Sequence, residues 1–458
     1  MPLSDLSPAS TTDAFSDAFS NYRVERCREE IAARNLELRA VLHVVPEPAS
    51  RRRAPGRGPL DGVPFVLKDS WDSAGVPTTG GALRYKDRVP SSSSHAADAL
   101  FETGAVLLGK SNVADMCLSA ESDNHLIGAA RNPYDLGRTA GGSTGGGAAA
   151  VASGMAAFDW GTDFGGSVRM PAAFCGLVGL RLSASAWPVG EHHFPRIGPF
   201  FWPYLAMGPL TRTVDQAEAL VRLLAPALRT GEVAEPAPLG DASGLGDVAL
   251  LAPDRAHQGM WPGFAEEVAA HLARQGLRAS VEAALPTPTR AQLLFDATLA
   301  GHLRKLAGPG EMGVRKGAIP VLAGLLTWGK LDKRVHPHTA FNLAMCGLGA
   351  LALRPFRGHV ADHAASLRAS VRSVWRNGRL VVSPMCARSA PRHGRSLLDP
   401  SLLTFGKYGN LVDATAVAVP FGAFADGLPR SVQVMGPAGA EDAVLALARR
   451  LFTPSRRE

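Results

Sequence analysis

Two serines on glycine hinges stand close together in this chain. The first lies in Gly141-Gly142-Ser143-Thr144-Gly145-Gly146-Gly147-Ala148, the second in Gly161-Thr162-Asp163-Phe164-Gly165-Gly166-Ser167-Val168-Arg169-Met170-Pro171. Glycine tolerates positive φ, so such loops can aim several backbone N–H groups at one point, which is what a developing oxyanion requires. Hydrolytic chemistry at serine is therefore the leading reading. Phosphate binding fits less well: no lysine follows either loop as the Walker pattern demands, and the dinucleotide pattern Gly-x-Gly-x-x-Gly is not matched. Gly141 to Gly145 does satisfy Gly-x-Ser-x-Gly, the nucleophile elbow, but that elbow follows a buried strand, and the preceding Arg131-Asn132-Pro133-Tyr134-Asp135-Leu136-Gly137-Arg138-Thr139 is turn-rich with no apolar run.

A serine hydroxyl is a weak nucleophile near neutral pH and needs a base. The candidate lies upstream, where Gly62-Val63-Pro64-Phe65-Val66-Leu67-Lys68-Asp69 ends a short apolar, partly β-branched run in a lysine. That run reads as a buried strand delivering Lys68 to a water-poor site. Lost hydration disfavours the ammonium form, so a buried lysine titrates lower and, once neutral, accepts a proton. Alone, Lys68 would read as a surface lysine snorkelling at a strand end. Its order and spacing relative to the two serines turn the reading toward a base.

Together these segments resemble the amidase signature family, in which the lysine sits in Gly-Val-Pro-x-x-x-Lys-Asp, a bridging serine in Gly-Gly-Ser-Ser-Gly-Gly, and the nucleophile in Gly-Thr-Asp-x-Gly-Gly-Ser-Ile/Val-Arg-x-Pro. The resemblance implies that Lys68 is the general base, Ser143 the bridging serine on a cis peptide, and Ser167 the acyl-forming nucleophile. It implies an oxyanion hole made by the backbone N–H groups of Phe164, Gly165, Gly166 and Ser167, with Thr144, Asp163 and Arg169 in support; Asp163 and Arg169 would brace the loop by hydrogen bonds and charge pairing. Residues 75–80, 104–112, 172–180, 208–214, 419–422 and 426–433 also look like the family. The likeness covers most of residues 20–450 and is weakest in the middle.

Three departures stand out. Thr144 replaces the second serine of the first loop; it keeps a hydroxyl for local hydrogen bonding but adds a stiff methyl. Arg181-Leu182-Ser183-Ala184-Ser185 stands where the family has a Lys-Pro-Thr turn, a change expected to bear on the local backbone and the substrate rim. Glu191-His192-His193-Phe194-Pro195-Arg196-Ile197-Gly198-Pro199-Phe200-Phe201-Trp202-Pro203 is unlike the commonest members and reads as a substrate wall.

The fold implied by the resemblance is α/β, a mixed β-sheet core sandwiched between α-helices. With 458 residues, 46% hydrophobic and 19% charged, the chain can bury a large core. Short apolar strands at 247–251 and 380–383 alternate with Ala-rich helical stretches at 264–275 and 440–452. The expected organisation is a disordered segment over residues 1–19 and one amidase domain over 20–458. Within it lie a signature core at about 60–215, a Pro/Gly/Ala-rich connector at 226–246, and a variable substrate-side region at about 225–400. The first dozen residues lack the basic start and apolar stretch of a secretory signal, which points to the cytoplasm.

Five cysteines, Cys27, Cys117, Cys175, Cys346 and Cys386, show no Cys-x-x-Cys spacing and read as reduced thiols. Neither His192-His193 nor His336-Pro337-His338 has a carboxylate set at ligand spacing, so no metal and no cofactor is expected. The net charge of +7 and the runs Arg51-Arg52-Arg53 and Arg449-Arg450 read as solvated charge, with no nucleic-acid module beside them. Residues 339–353 are uncharged and apolar but shorter than the roughly 18–20 residues of a membrane span. They read as a buried helix, a hydrophobic wall for an acyl or aromatic substrate, or a membrane-surface cap.

Three functions stay open. The first is a stand-alone amidase acting on a small, apolar or aromatic amide, with esterase side activity and a homodimeric state left undecided. The second is the glutaminase subunit of a tRNA-dependent amidotransferase, disfavoured by the missing Lys-Pro-Thr turn. The third is a catalytically silent binding protein.

Overall fold

The computed structural model describes residues 17–47, 58–190, 194, 202–230, 246–257, 259–306, 336–339, 341–342 and 357–454. The first half runs α1 (Val24–Leu38), β1 (Val41–Val44), β2 (Pro64–Lys68), α2 (His95–Glu102), β3 (Val106–Ser111), the two-stranded ribbon β4 (Arg131–Asn132) and β5 (Asp135–Thr139), α3 (Gly145–Ala152), β6 (Phe158–Asp163), α4 (Arg169–Phe174), β7 (Val178–Arg181), β8 (Ala206–Thr211) and α5 (Val214–Leu228). The second half continues β9 (Val248–Leu250), α6 (Phe264–Ala273), β10 (Ala279–Val281), α7 (Pro288–Leu306), α8 (Arg357–Arg376), β11 (Val381–Pro384), α9 (Thr404–Leu411), β12 (Thr415–Ala423), β13 (Pro429–Gly436) and α10 (Glu441–Leu451).

Eleven strands form one sheet in the order β1-β3-β2-β6-β8-β7-β12-β13-β11-β9-β10. β2 is parallel to β3 and β6, and β9 is parallel to β10 and β11. The other neighbours are antiparallel. This is the mixed sheet between helical layers that the sequence implied. Both of its faces are covered, and the strand period of two shows it directly. Phe65 and Leu67 join one apolar cluster with Trp160, Leu180, Val417 and Val434, whereas Val66 joins another with Ala148, Val151, Val168 and Ala172 from α3 and α4. Lys68, two residues beyond Val66, therefore points to the side from which α3 and α4 bring the two serines. Asp159, Gly161 and Asp163 of β6 fall on that same side by the same alternation, since Phe158 and Trp160 lie in the opposite cluster.

The boundaries differ from the sequence reading in places. Phe19, assigned there to a disordered segment, is buried and its ring stands 5.7 Å from that of Phe158; residues 1–16 lie outside the described residues. The expected connector at 226–246 begins inside α5, and its stretch 231–245 is likewise outside the description. No described helix is long and apolar enough to cross a membrane. Of residues 339–353, only 339, 341 and 342 are described.

The chain's departure after Leu180 has a structural account. Arg181 is wholly buried, donates Nη1 to the Ala414 carbonyl, and pairs Nη2 with Asp413 Oδ1 at 3.2 Å. Asp413, at φ 50°, also accepts the N–H groups of Ala184 at 2.7 Å and Ser185 at 3.1 Å, so one carboxylate neutralises the arginine and shapes the turn. The substitution thus acts on the local backbone. Removing one member of a buried pair strands the other charge away from water, whereas a partly exposed partner softens the loss. Asp413→Ala is expected to cost about 3 kcal/mol, read as a lower urea midpoint, with activity per folded molecule unchanged. An unshifted midpoint would show that the pair carries no stability.

Candidate active site

β6 ends at Asp163, and α4 starts at Arg169. Between them the chain turns sharply, with Gly166 at φ 111°, a value that disfavours any side chain, and with Ser167 half-buried at the turn. The turn is held from within by Asp163. Its carboxylate accepts the N–H groups of Gly166 at 2.9 Å and Val168 at 3.1 Å, and pairs with Arg169 Nε at 3.0 Å and Nη2 at 2.7 Å. Burial alone would raise the Asp163 carboxyl, yet the Arg169 guanidinium and these donors hold it well below the usual carboxylate range. Asp163 and Arg169 thus hold the turn together by these contacts.

The rest of the brace is not legible in the sequence. Arg169, fully buried, also donates Nη2 to Asn410 Oδ1 at 2.6 Å and to the Gly406 carbonyl at 3.1 Å, and Nη1 to Gln433 Oε1. Asn410 Nδ2 donates in turn to the carbonyls of Asp163 at 3.0 Å and Tyr204 at 2.9 Å. α9 comes this near because a Cβ at Gly406 would sit 2.5 Å from the Gly165 oxygen, and one at Gly409 would sit 2.6 Å from Arg169 Nη1. The available signals were Gly406-x-x-Gly409, two glycines three apart on one helical face, and the place of Gln433 at the end of the family-like segment 426–433; Asn410 carried none.

Lys68 and Ser143 meet in a dry site. Lys68 Nζ lies 2.9 Å from Ser143 Oγ and donates to the Thr162 carbonyl at 2.9 Å. Lys68 is fully buried, Ser143 nearly so, and the Gly142–Ser143 peptide is cis. Burial pushes the Lys68 amine down from its ordinary value, opposed by the neighbouring Cys117, Asp159 and Asp163. A neutral amine that gives one N–H to Thr162 still has a lone pair for the Ser143 hydroxyl. Ser143 follows the β4–β5 ribbon rather than a strand of the large sheet, so the elbow context is missing here.

Two expectations need correction. Thr144 makes no local hydrogen bond: among the described residues its Oγ1 is buried without a partner, and the first N–H of α3, that of Gly145, goes to Ser122 Oγ at 2.7 Å. Of the four N–H groups expected to face an oxyanion, that of Gly166 is engaged by Asp163, which makes it part of the brace. Phe164, Gly165 and Ser167 are placed on the same turn.

Beside that turn lies an aromatic group. The Phe164 ring stands 5.7 Å from Phe295 of α7, and that of Tyr204 stands 5.9 Å from Phe295. Of the stretch read as a substrate wall, 191–193 and 195–201 lie outside the described residues. Phe194 is buried, edge-on to Tyr85 at 4.8 Å and under the Arg88 guanidinium at 4.1 Å, as an anchor. Cys27, Cys117, Cys175 and Cys386 are free thiols. The sequence placed no carboxylate near His336-Pro337-His338, but the fold brings Asp123 to them.

A family model described as Amidase matches residues 23–239. A glutamyl-tRNA(Gln) amidotransferase subunit from Nitratidesulfovibrio vulgaris (strain DP4) is 36% identical over 225 residues, covering 49% of this chain and 42% of that protein, so the chain aligns with less than half of that relative's length. The subunit of the same name from Chloroflexus aggregans (strain MD-66 / DSM 9485) is 28% identical, covering 94% of this chain and 92% of its own. Among solved structures, 6-aminohexanoate cyclic dimer hydrolase complexed with substrate is similar with a TM-score of 0.72 at 23% identity, covering 93% of this chain and 92% of that one. A bacterial aryl acylamidase belonging to the amidase signature enzymes is similar with a TM-score of 0.70 at 23% identity, covering 93% and 91%. The structural likenesses carry the fold; together with the motifs and the family model over residues 23–239, they make this chain similar to the amidase signature enzymes.

Proposed function

We propose that this chain is an amidase that hydrolyses a small carboxylic amide through an acyl-Ser167 intermediate. The observation that carries the reading is the buried amine of Lys68 2.9 Å from Ser143 Oγ, on the face of the sheet that also carries the Ser167 turn. Neutral Lys68 takes the proton of Ser143 as Ser143 takes that of Ser167, and Ser167 Oγ bonds to the carbonyl carbon. The carbonyl oxygen becomes an oxyanion, received by the N–H groups of Phe164, Gly165 and Ser167; losing one such donor typically costs about 3 kcal/mol of barrier. Ser143 then gives its proton to the amide nitrogen, the C–N bond breaks, and Lys68 restores the Ser143 proton. Water enters by the same relay, attacks the acyl carbon, and frees the acid and Ser167.

The aromatic group of Phe164, Phe295 and Tyr204 beside the nucleophile turn supports an apolar or aromatic substrate. Such an enzyme would extend to simple esters, whose leaving group is easier to expel. The names of the sequence relatives favour one second reading, a glutaminase subunit working within a complex. The two readings part on the substrate that the isolated chain turns over, an aryl or acyl amide against glutamine.

Ser167→Ala is expected to abolish turnover of the amide. Lys68→Ala and Ser143→Ala are expected to lower kcat by about a hundredfold or more while keeping a native far-ultraviolet dichroism spectrum. Full activity in any of the three would contradict the assignment. The pH profile follows from the direction of the Lys68 shift. The base works only when neutral, so kcat/KM should fall as pH drops through the Lys68 pKa, and that acid limb should lie below the roughly 10.4 of a free lysine. A rate that stays flat down to the range of carboxylate titration would remove lysine from the role of base.

A further inference from the structure

The segment that holds His336 and His338 is seated on a loop from the other half of the chain. The His336 N–H donates to Asp115 Oδ2 at 2.9 Å, Thr339 Oγ1 donates to the Asp115 carbonyl at 2.9 Å, and Asn342 Nδ2 donates to the Leu118 carbonyl at 2.7 Å. Asp123 is fixed on the same loop: its N–H goes to the Glu121 carbonyl at 2.9 Å, and its carbonyl accepts the Asp115 N–H at 3.1 Å. These contacts place two imidazoles and a carboxylate together. The ligand-type atoms of Asp123, His336 and His338 all lie within 4.8 Å of one another, and both histidines are 8% exposed.

Internal hydrogen bonding does not account for the arrangement. Among the described residues, His338 Nδ1 is buried with no hydrogen-bond partner, an orphan of the kind that buried polar atoms rarely remain. His336 Nε2 stands 3.5 Å from Asp123 Oδ2, outside the usual hydrogen-bond range. A tetrahedral ion with bonds of roughly 2.0–2.2 Å sets neighbouring ligand atoms about 3.4 Å apart, which matches that separation. All three separations lie within 4.8 Å, so binding requires the wider ones to close toward the tetrahedral spacing. One contact opposes it: the His338 N–H approaches His336 Nδ1 at 3.3 Å, and coordination through Nε2 would put the proton on Nδ1 and give up this long bond.

We infer that Asp123, His336 and His338 bind one divalent first-row transition ion of the zinc class, with a remaining position left to water. Two imidazoles and a single carboxylate suit zinc and its neighbours, and supply too few oxygens for calcium or magnesium. The ion would pin the His336 segment to the loop 115–124. The backbone of that loop lies against the bridging-serine hinge, since a Cβ on Gly142 would sit 2.6 Å from the Ser119 oxygen. Its role is to hold that wall in position, and the inference stands apart from the identity of the amide.

The test uses the full chain, stripped with a chelator, dialysed, and titrated with zinc chloride by calorimetry, with bound metal counted by mass spectrometry. The unaltered protein and Ser167→Ala should each take up one equivalent, the His336→Ala/His338→Ala double variant none, and Asp123→Asn should bind about tenfold or more weakly. Cobalt should give visible d–d bands in the unaltered protein and none in the double variant. Equal uptake by the unaltered protein and the double variant, or no uptake by either, overturns the site. Should the double variant fail to fold, Asp123→Asn decides: zinc bound there as tightly as in the unaltered protein, with the same cobalt spectrum, also overturns it.

Discussion

Everything around the Ser167 turn depends on how one buried guanidinium is satisfied. An arginine withdrawn from water must be matched by acceptors, because an unmatched buried charge costs several kcal/mol. Arg169 meets that demand with the Asp163 carboxylate, Asn410, the Gly406 carbonyl and Gln433, drawn from β6, α9 and β13. The same Asp163 oxygens take the N–H groups of Gly166 and Val168, so matching the charge and shaping the turn are one event. The turn that carries Ser167 is thus shaped by the Asp163–Arg169 ion pair.

A second buried cation on the same face is treated in the opposite way. Lys68 has no carboxylate within ion-pair distance among the described contacts; its nearest polar partners are the Ser143 hydroxyl and the Thr162 carbonyl. Asp163, on the neighbouring strand, is already committed to Arg169. Asp159 is itself pushed up to about 7 by burial, against the pull of Ser111, Lys68 and Lys110, so it offers Lys68 only a weakened charge. One basic group is therefore paired with a carboxylate, while the other is left dry and lowered by burial. Lys110, also buried, lies between these cases: burial lowers it to about 8, with Asp69 at 3.7 Å opposing the shift. That contrast separates Arg169, held in an ion pair, from Lys68, whose amine burial lowers as the proposed role of base requires.

What could be read from the sequence was local. Glycine loops, the apolar run before Lys68 and the Asp-x-x-x-x-x-Arg spacing lie within a few residues, and the strand period alone puts Lys68 on the face of Val66. What could not be read is long-range closure. Gln433 is 264 residues from Arg169, and neither it nor Asn410 differs by type from any surface amide until the fold brings it in. The Arg181 departure was visible as a change, but its meaning needed Asp413, which only the pairing of β7 with β12 brings near. Asp123 and the two histidines were missed for the same reason. The Thr144 hydroxyl failed differently: the expectation was local, and the loop simply turns its oxygen away from any partner.

The central claim is that Ser167, and not Ser143, is the activated nucleophile. Treatment with a serine-reactive fluorophosphonate, followed by intact-protein mass spectrometry and peptide mapping, addresses it most directly. A single adduct on Ser167 is the expected result. An adduct on Ser143, or none on either serine, would contradict the account.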